Sequence, residues 1–151
     1  MRLPQCKWLL FALFATALTG CGSDAKPKAV PVSGSVMLKN KKPTSGALIV
    51  FHPTDPALEK RIGGKPMAKV GDDGKFSITS YAENDGAPPG EYGITVDWRA
   101  KPKAGGMRMG DGEGGSSGGP MLKSMYSNPQ QPFMKVTVKA GEPNEFNFEV
   151  E

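Results

Sequence analysis

The side chains able to do chemistry are few. His52 is the single histidine. A Ser-His-Asp or Cys-His relay needs a nucleophile on one side of the imidazole and an orienting acid on the other. Asp55 is close in the chain, but no G-x-S-x-G elbow occurs. A histidine at a strand end beside Pro53 reads as structural or simply exposed. Asp72-Asp73 could offer oxygen to calcium, yet further oxygen ligands at regular spacing are missing. A hairpin turn explains the pair. Gly110-x-Gly112-x-x-Gly115 matches the dinucleotide fingerprint in letters. That fingerprint works only between a strand and a helix, where backbone N–H groups face a pyrophosphate; its flanks here are more glycine. Met107-x-Met109, with Met121 and Met125 beyond, offers soft thioethers of the kind that suit Cu(I). A glycine-rich stretch tolerates methionine without any such role, so no metal site is expected. Tyr81, Trp98 and Tyr126 could make a sugar-stacking platform, although Trp98 continues the inward face of its strand.

The composition narrows the scaffold that must carry these residues. Glycine and proline number 20 and 14 in 151 residues, which argues for many turns and few long helices. The formal charge is +4. Arg2 and Lys7 lie before Cys21, which leaves 17 basic against 15 acidic residues after it. That balance gives no basis for nucleic-acid binding. The length is about one domain's worth.

The first 20 residues form a different segment. Arg2 and Lys7 make a positive start, and Trp8 to Leu18 is an apolar run of 11 residues. Secretory signals carry an apolar run of about 7–15 residues. As a helix this run spans ~16 Å against a hydrocarbon core of about 30 Å, too short to anchor by crossing. Leu18-Thr19-Gly20-Cys21 closes it. This tetrapeptide resembles the lipobox of bacterial lipoproteins: a Leu-like residue, two small residues, then cysteine. The resemblance implies cleavage before Cys21 and acylation of its thiol, usually with acylation of the freed amine. Residues 1–20 are then a signal peptide, and the mature chain keeps one cysteine and no internal disulfide. One histidine and one acylated cysteine cannot supply the three or four N/S ligands usual for zinc. Residues 21–30 are polar and small, a flexible tether. Gly22, rather than Asp, follows the cysteine, which resembles the outer-membrane signal of enterobacterial lipoproteins.

Residues 31–151 alternate short apolar segments with turn clusters, the pattern of a sandwich or barrel. Seven strands are expected. Val32, Gly34, Val36 and Leu38 share a face of the first, opposite Ser33, Ser35 and Met37. Gly46 to His52 is nearly all apolar, as in a central strand. A short helical turn is expected around Ala57-Leu58-Glu59-Lys60. Pro66–Val70 and Lys75–Thr79 flank Gly71-Asp72-Asp73-Gly74, where Asp-Gly supplies the positive φ that a tight hairpin needs. Pro88-Pro89-Gly90 introduces Glu91–Trp98, with Tyr92, Ile94, Val96 and Trp98 on one face. A Gly-rich insertion at about 100–122 follows, with eight glycines in the 16 residues from Ala104 to Gly119. Such a stretch cannot repay its ordering entropy. Met134–Lys139 and Glu145–Glu151 close the chain, with Phe146, Phe148 and Val150 inward.

Val32-Ser33-Gly34-Ser35-Val36, Pro43, Gly46-Ala47, Val50-Phe51, Asp73-Gly74-Lys75-Phe76 and Pro89-Gly90-Glu91-Tyr92 come in the order seen in carboxypeptidase regulatory-like domains. Tyr126-Ser127-Asn128-Pro129, Val136-Thr137-Val138 and Phe146-Asn147-Phe148 resemble the tail of small lipoproteins common in planctomycete bacteria. The resemblance implies an all-β, seven-stranded, Ig-like or transthyretin-like sandwich behind a cleaved signal peptide. Transthyretin-like hydrolases use several histidines and a C-terminal Tyr-Arg-Gly-Ser; this chain has neither. No catalytic residue and no cofactor are expected. The reading is a lipid-anchored cell-envelope module, structural or protein-binding, held at a periplasm-facing outer or inner membrane. Its partners are the membrane, through the N-terminal lipid, and an envelope protein or glycan. The alternative is a carbohydrate- or metal-binding module using the Gly/Met-rich loop.

Overall fold

A computed structural model describes residues 25–100 and 120–151. Two sheets face each other across one apolar core. The strands are β1 (Val32–Leu38), β2 (Leu48–Pro53), β3 (Met67–Lys69), β4 (Lys75–Ser77), β5 (Gly90–Asp97), β6 (Met134–Val138) and β7 (Asn144–Val150). One sheet has the order β4-β1-β7 and the other β3-β2-β5-β6. The seven expected strands are therefore present, and β2 is central as its apolar run requires. β1 pairs antiparallel with β4 and parallel with β7. Every neighbour in the four-stranded sheet is antiparallel.

Alternation places the core. Val32 and Val36 of β1, Ile49 and Phe51 of β2, and Tyr92, Ile94 and Val96 of β5 are buried, as are Phe148 and Val150 of β7. Phe51 joins the two layers. Its ring lies 5.8 Å from Tyr92 in its own sheet, and 6.5 and 6.3 Å from Phe76 and Phe146 in the other. Edge-on and tilted ring pairs at these separations add attraction beyond the area they bury. The Tyr92 hydroxyl donates to the Pro88 carbonyl at 2.7 Å, which satisfies a polar group inside the core.

The connections refine the local reading. The turn expected near residues 57–60 is a full helix, α1 (Pro56–Ile62). Asp55 caps it by accepting from the Ala57 N–H at 2.9 Å, Pro56 supplies a preset φ, and Leu58 and Ile62 are buried. Gly74 carries the φ of 81° expected of the Asp-Gly turn. The hairpin expected there is not formed: the turn does not join two strands of one sheet. Met67 and Thr79 exchange backbone hydrogen bonds, but β3 enters the four-stranded sheet and β4 the three-stranded one. The turn thus closes one side of the sandwich. On the other side a 3-10 turn, Ser124–Tyr126, and Phe133 lie against β7: Phe133 stacks edge-on with Tyr126 and Phe148. Arg99 and Pro120 form an antiparallel bridge, so the Gly-rich insertion leaves and returns at adjacent points. Among the described residues, no helix is long and apolar enough to cross a membrane.

Candidate functional site

The outer face of the three-stranded sheet is built from the residues that alternation sends away from the core. β1 contributes Ser33, Ser35 and Met37, β4 contributes Lys75 and Ser77, and β7 contributes Glu145, Asn147 and Glu149. The register aligns them in rows: Ser77, Ser33 and Glu145 form one, and Lys75, Ser35 and Asn147 the next. Ser33 and Ser35 of the central strand and Ser77 of β4 bear short hydroxymethyl groups, whereas Lys75, Glu145 and Asn147 beside them are longer. The face is therefore low over the serines and raised at Lys75 on one side and along β7 on the other. An open cavity of about 770 Å³ lies over these rows. Lys69, Thr79, Glu83 and Asn84 extend its rim. A second hollow of about 410 Å³, touching Ser35, Met37 and Asn147, lies beside it.

Few of these polar groups are used internally. Ser35 Oγ donates to Asn147 Oδ1 at 2.7 Å, and Thr79 Oγ1 accepts from the Asn84 N–H at 2.9 Å. Lys75 approaches Asp73 at 3.9 Å, a loose exposed pair. The side chains of Ser33, Ser77, Lys69, Glu83 and Glu145 make no hydrogen bond or ion pair with a described residue. The trough thus holds free donors and free acceptors together. Its walls carry two ammonium and two carboxylate groups.

Gly34 makes this geometry. A Cβ built on it would lie 1.8 Å from the Phe146 carbonyl oxygen. Only glycine lets β1 and β7 approach as they do, and that pairing sets Ser33 beside Glu145 and Ser35 beside Asn147.

The residues singled out from sequence are dispersed. His52 lies on the outer face of the four-stranded sheet, half-buried, with Nε2 2.8 Å from Thr95 Oγ1. Burial and Lys65 lower its pKa, opposed in part by Glu59. Asp72 accepts from the Ser45 hydroxyl, and Asp73 accepts from the Lys75 N–H at 3.0 Å, so both serve the turn. Among the described residues no group of three His, Cys, Asp or Glu side chains is placed to hold a metal. Tyr81 is half-buried beneath the Lys26 ammonium, 5.2 Å from its ring centre. Trp98 is half-buried and donates from Nε1 to the Ser45 carbonyl at 2.9 Å. Tyr126 is buried, and its hydroxyl accepts from the Glu151 N–H at 3.2 Å. The three rings occupy separate settings rather than one platform. Met121 and Met125 are exposed. Leu18, Thr19, Gly20, Cys21, Met107, Met109 and the Gly110-Gly112-Gly115 stretch lie outside the described residues.

The trough residues are not singled out by sequence reading alone. Alternation puts Ser33 and Ser35 on a common outward face, but their partner Asn147 lies 112 residues away from Ser35. Only the parallel pairing of the first and last strands brings them together. Comparison with protein-family models, with curated proteins and with solved structures returns no match.

Proposed function

We propose that this chain is an exported lipoprotein whose β-sandwich works as a non-enzymatic interaction module of the cell envelope. The observation that carries the reading is Leu18-Thr19-Gly20-Cys21, in register behind a positive start and an apolar run. Cys21 bears the lipid, and residues 21–30 tether the sandwich to a periplasm-facing membrane surface. Buried acyl CH₂ groups contribute about 0.8 kcal/mol each, so two or three chains make the attachment effectively permanent. Two facing sheets of seven strands support the Ig-like or transthyretin-like class. So does Tyr92, whose hydroxyl bonds back four residues to Pro88 in the manner of the tyrosine corner of Greek-key sandwiches. The domain would bind an envelope protein or glycan, with no part in nucleic-acid binding.

The test is the replacement Cys21→Ser in cells that make the full chain. Membrane fractionation should move the protein to the soluble fraction, and labelling with radioactive palmitate should be lost. Retention of the variant in the membrane pellet overturns the anchor. The alternative, carbohydrate or metal binding through the Gly/Met-rich loop, rests on residues outside the described part of the chain. Ligand binding finds its support instead on the three-stranded sheet.

A further inference from the structure

We infer that the trough across β4, β1 and β7 is a binding site for a neutral oligosaccharide. The inference rests on reading the sandwich as an interaction module and names where, and to what, it binds. Three observations carry it.

The first is shape. Solvent faces of sheets in soluble proteins are ordinarily filled by long polar side chains. Here Ser33, Ser35 and Ser77 leave a low strip between the longer Lys75, Glu145 and Asn147, and the hollow of about 770 Å³ falls within the ~300–1,000 Å³ typical of small-ligand sites. The second is hydrogen-bonding capacity. Ser33 and Ser77 stand directly opposite each other with free hydroxyls, and Glu145 stands beside Ser33. Asn147 uses its Oδ1 on Ser35 and keeps its Nδ2 donors for a ligand. A carboxylate accepts from two neighbouring hydroxyls at once, while serine and amide groups donate to ring and linkage oxygens. Such alternating donors and acceptors match a chain of hydroxyl groups. The third is charge. Lys69 and Lys75 balance Glu83 and Glu145 around the hollow. A strongly acidic or basic polymer would meet a like charge on one wall. A neutral one meets none.

This assignment differs from a stacking site. Tyr81, Trp98 and Tyr126 lie outside the trough lining. Affinity then comes from hydrogen bonds alone and is modest for each sugar unit, on the order of a millimolar dissociation constant. Repeated engagement suits a module tethered on a surface facing a polymer, because linked contacts multiply.

The experiment uses the full chain in detergent micelles, labelled with ¹⁵N. It is titrated separately with cellohexaose, mannohexaose and chitohexaose. A galacturonic acid oligomer and a Gly-Ser peptide of similar length are the comparison arms. At least one neutral oligosaccharide should shift the amide signals of Ser33, Ser77, Glu145 and Asn147 together. The double variant Glu145→Ala/Asn147→Ala should weaken that binding by about ten-fold with an unchanged melting temperature. The pair Ser33→Ala/Ser77→Ala gives a second variant should the first fail to fold, with the same weakening of about ten-fold expected. The inference is overturned if no neutral oligosaccharide shifts these signals at about 10 mM, or if the shifts fall elsewhere. It is equally overturned if the peptide or the acidic oligomer binds more tightly. Failure of the trough leaves release of Cys21→Ser untouched, and failure of that release leaves glycan binding untouched, so the two readings fall separately.

Discussion

β1 runs down the middle of its sheet and shows solvent Ser33, Ser35 and Met37. β2 has a central place in the other sheet and turns Leu48, Val50 and His52 outward. The same alternation that buries Val36 or Phe51 therefore produces two different outer surfaces. Around β1 the face is polar and hollowed. Around β2 it is mixed, with Leu48 and neighbouring Met67 38% and 43% exposed beside Lys69, Asp97, Thr95 and His52. The pairing differs too. The four-stranded sheet is antiparallel throughout. The three-stranded sheet joins the two ends of the domain in parallel, with Ser35 and Asn147 separated by 112 residues. A polar outer face cannot hold such a pairing in register. Its inner residues and the close backbone approach at Gly34 must do so, because a one-residue slip would turn Phe146 and Phe148 to solvent.

The largest effect should therefore come from Gly34→Ala. Its Cβ would sit 1.8 Å from the Phe146 carbonyl oxygen, and that oxygen is backbone. Relief requires β1 and β7 to part. The expected loss is about 3 kcal/mol or more, read by urea or thermal unfolding. A variant as stable as the parent would show that β1–β7 pairing is not the close contact described.

Gly93→Ala sharpens the contrast from the other sheet. Its Cβ would meet Cγ of Pro132 at 2.7 Å, a side-chain ring on a connecting segment rather than a strand carbonyl. That ring can give way. The expected cost is about 1–2 kcal/mol, smaller than at Gly34 in the same assay. An equal or larger loss would place the tighter constraint in the antiparallel sheet.

Tyr92→Phe removes one hydroxyl from the core and leaves the ring beside Phe51. The Pro88 carbonyl then loses its 2.7 Å partner. A destabilisation of about 1 kcal/mol is expected, with the unfolding slope unchanged. No change at all would mean that water replaces the hydroxyl there.

Much of this architecture is legible in the chain, for reasons that differ by element. Glu91–Trp98 and Glu145–Glu151 alternate so cleanly that strand, face and core residues can be read directly. The tight turn at Asp73-Gly74 is readable because positive φ is a local demand, but the hairpin expected around it is not, because the turn passes from one sheet to the other. α1 is read short, since its cap at Asp55 and the burial of Ile62 only become evident together. The trough is not legible. Ser33 and Ser35 look like ordinary outward residues until β7 is placed beside them, and strand order is a property of the whole domain. Gly34 gives a faint signal, a glycine inside an apolar strand pattern. His52 misleads in the other direction: as the lone histidine it draws notice, yet its visible partner is the Thr95 hydroxyl.

His52 supplies the smallest test, and it again separates the two faces. Burial lowers its pKa from the ordinary 6.5, Lys65 lowers it further, and Glu59 opposes them in part. The unfolded chain thus holds a proton on His52 more readily than the folded one. Stability from this group is complete above about pH 6.5, where neither state is protonated. It falls as pH drops through the depressed folded value and then levels off. His52→Gln keeps a polar partner for Thr95 but cannot titrate in this range. The pH profile of unfolding should lose the downward step that sets in as pH falls below about 6.5 in the variant, while the carboxylate-dependent decline at lower pH stays. The same substitution lies on the outer face of the four-stranded sheet, so it should leave oligosaccharide-induced shifts at Ser33 and Asn147 in place. If those shifts move with His52, the two faces are coupled through the core, and the division of labour between the sheets fails.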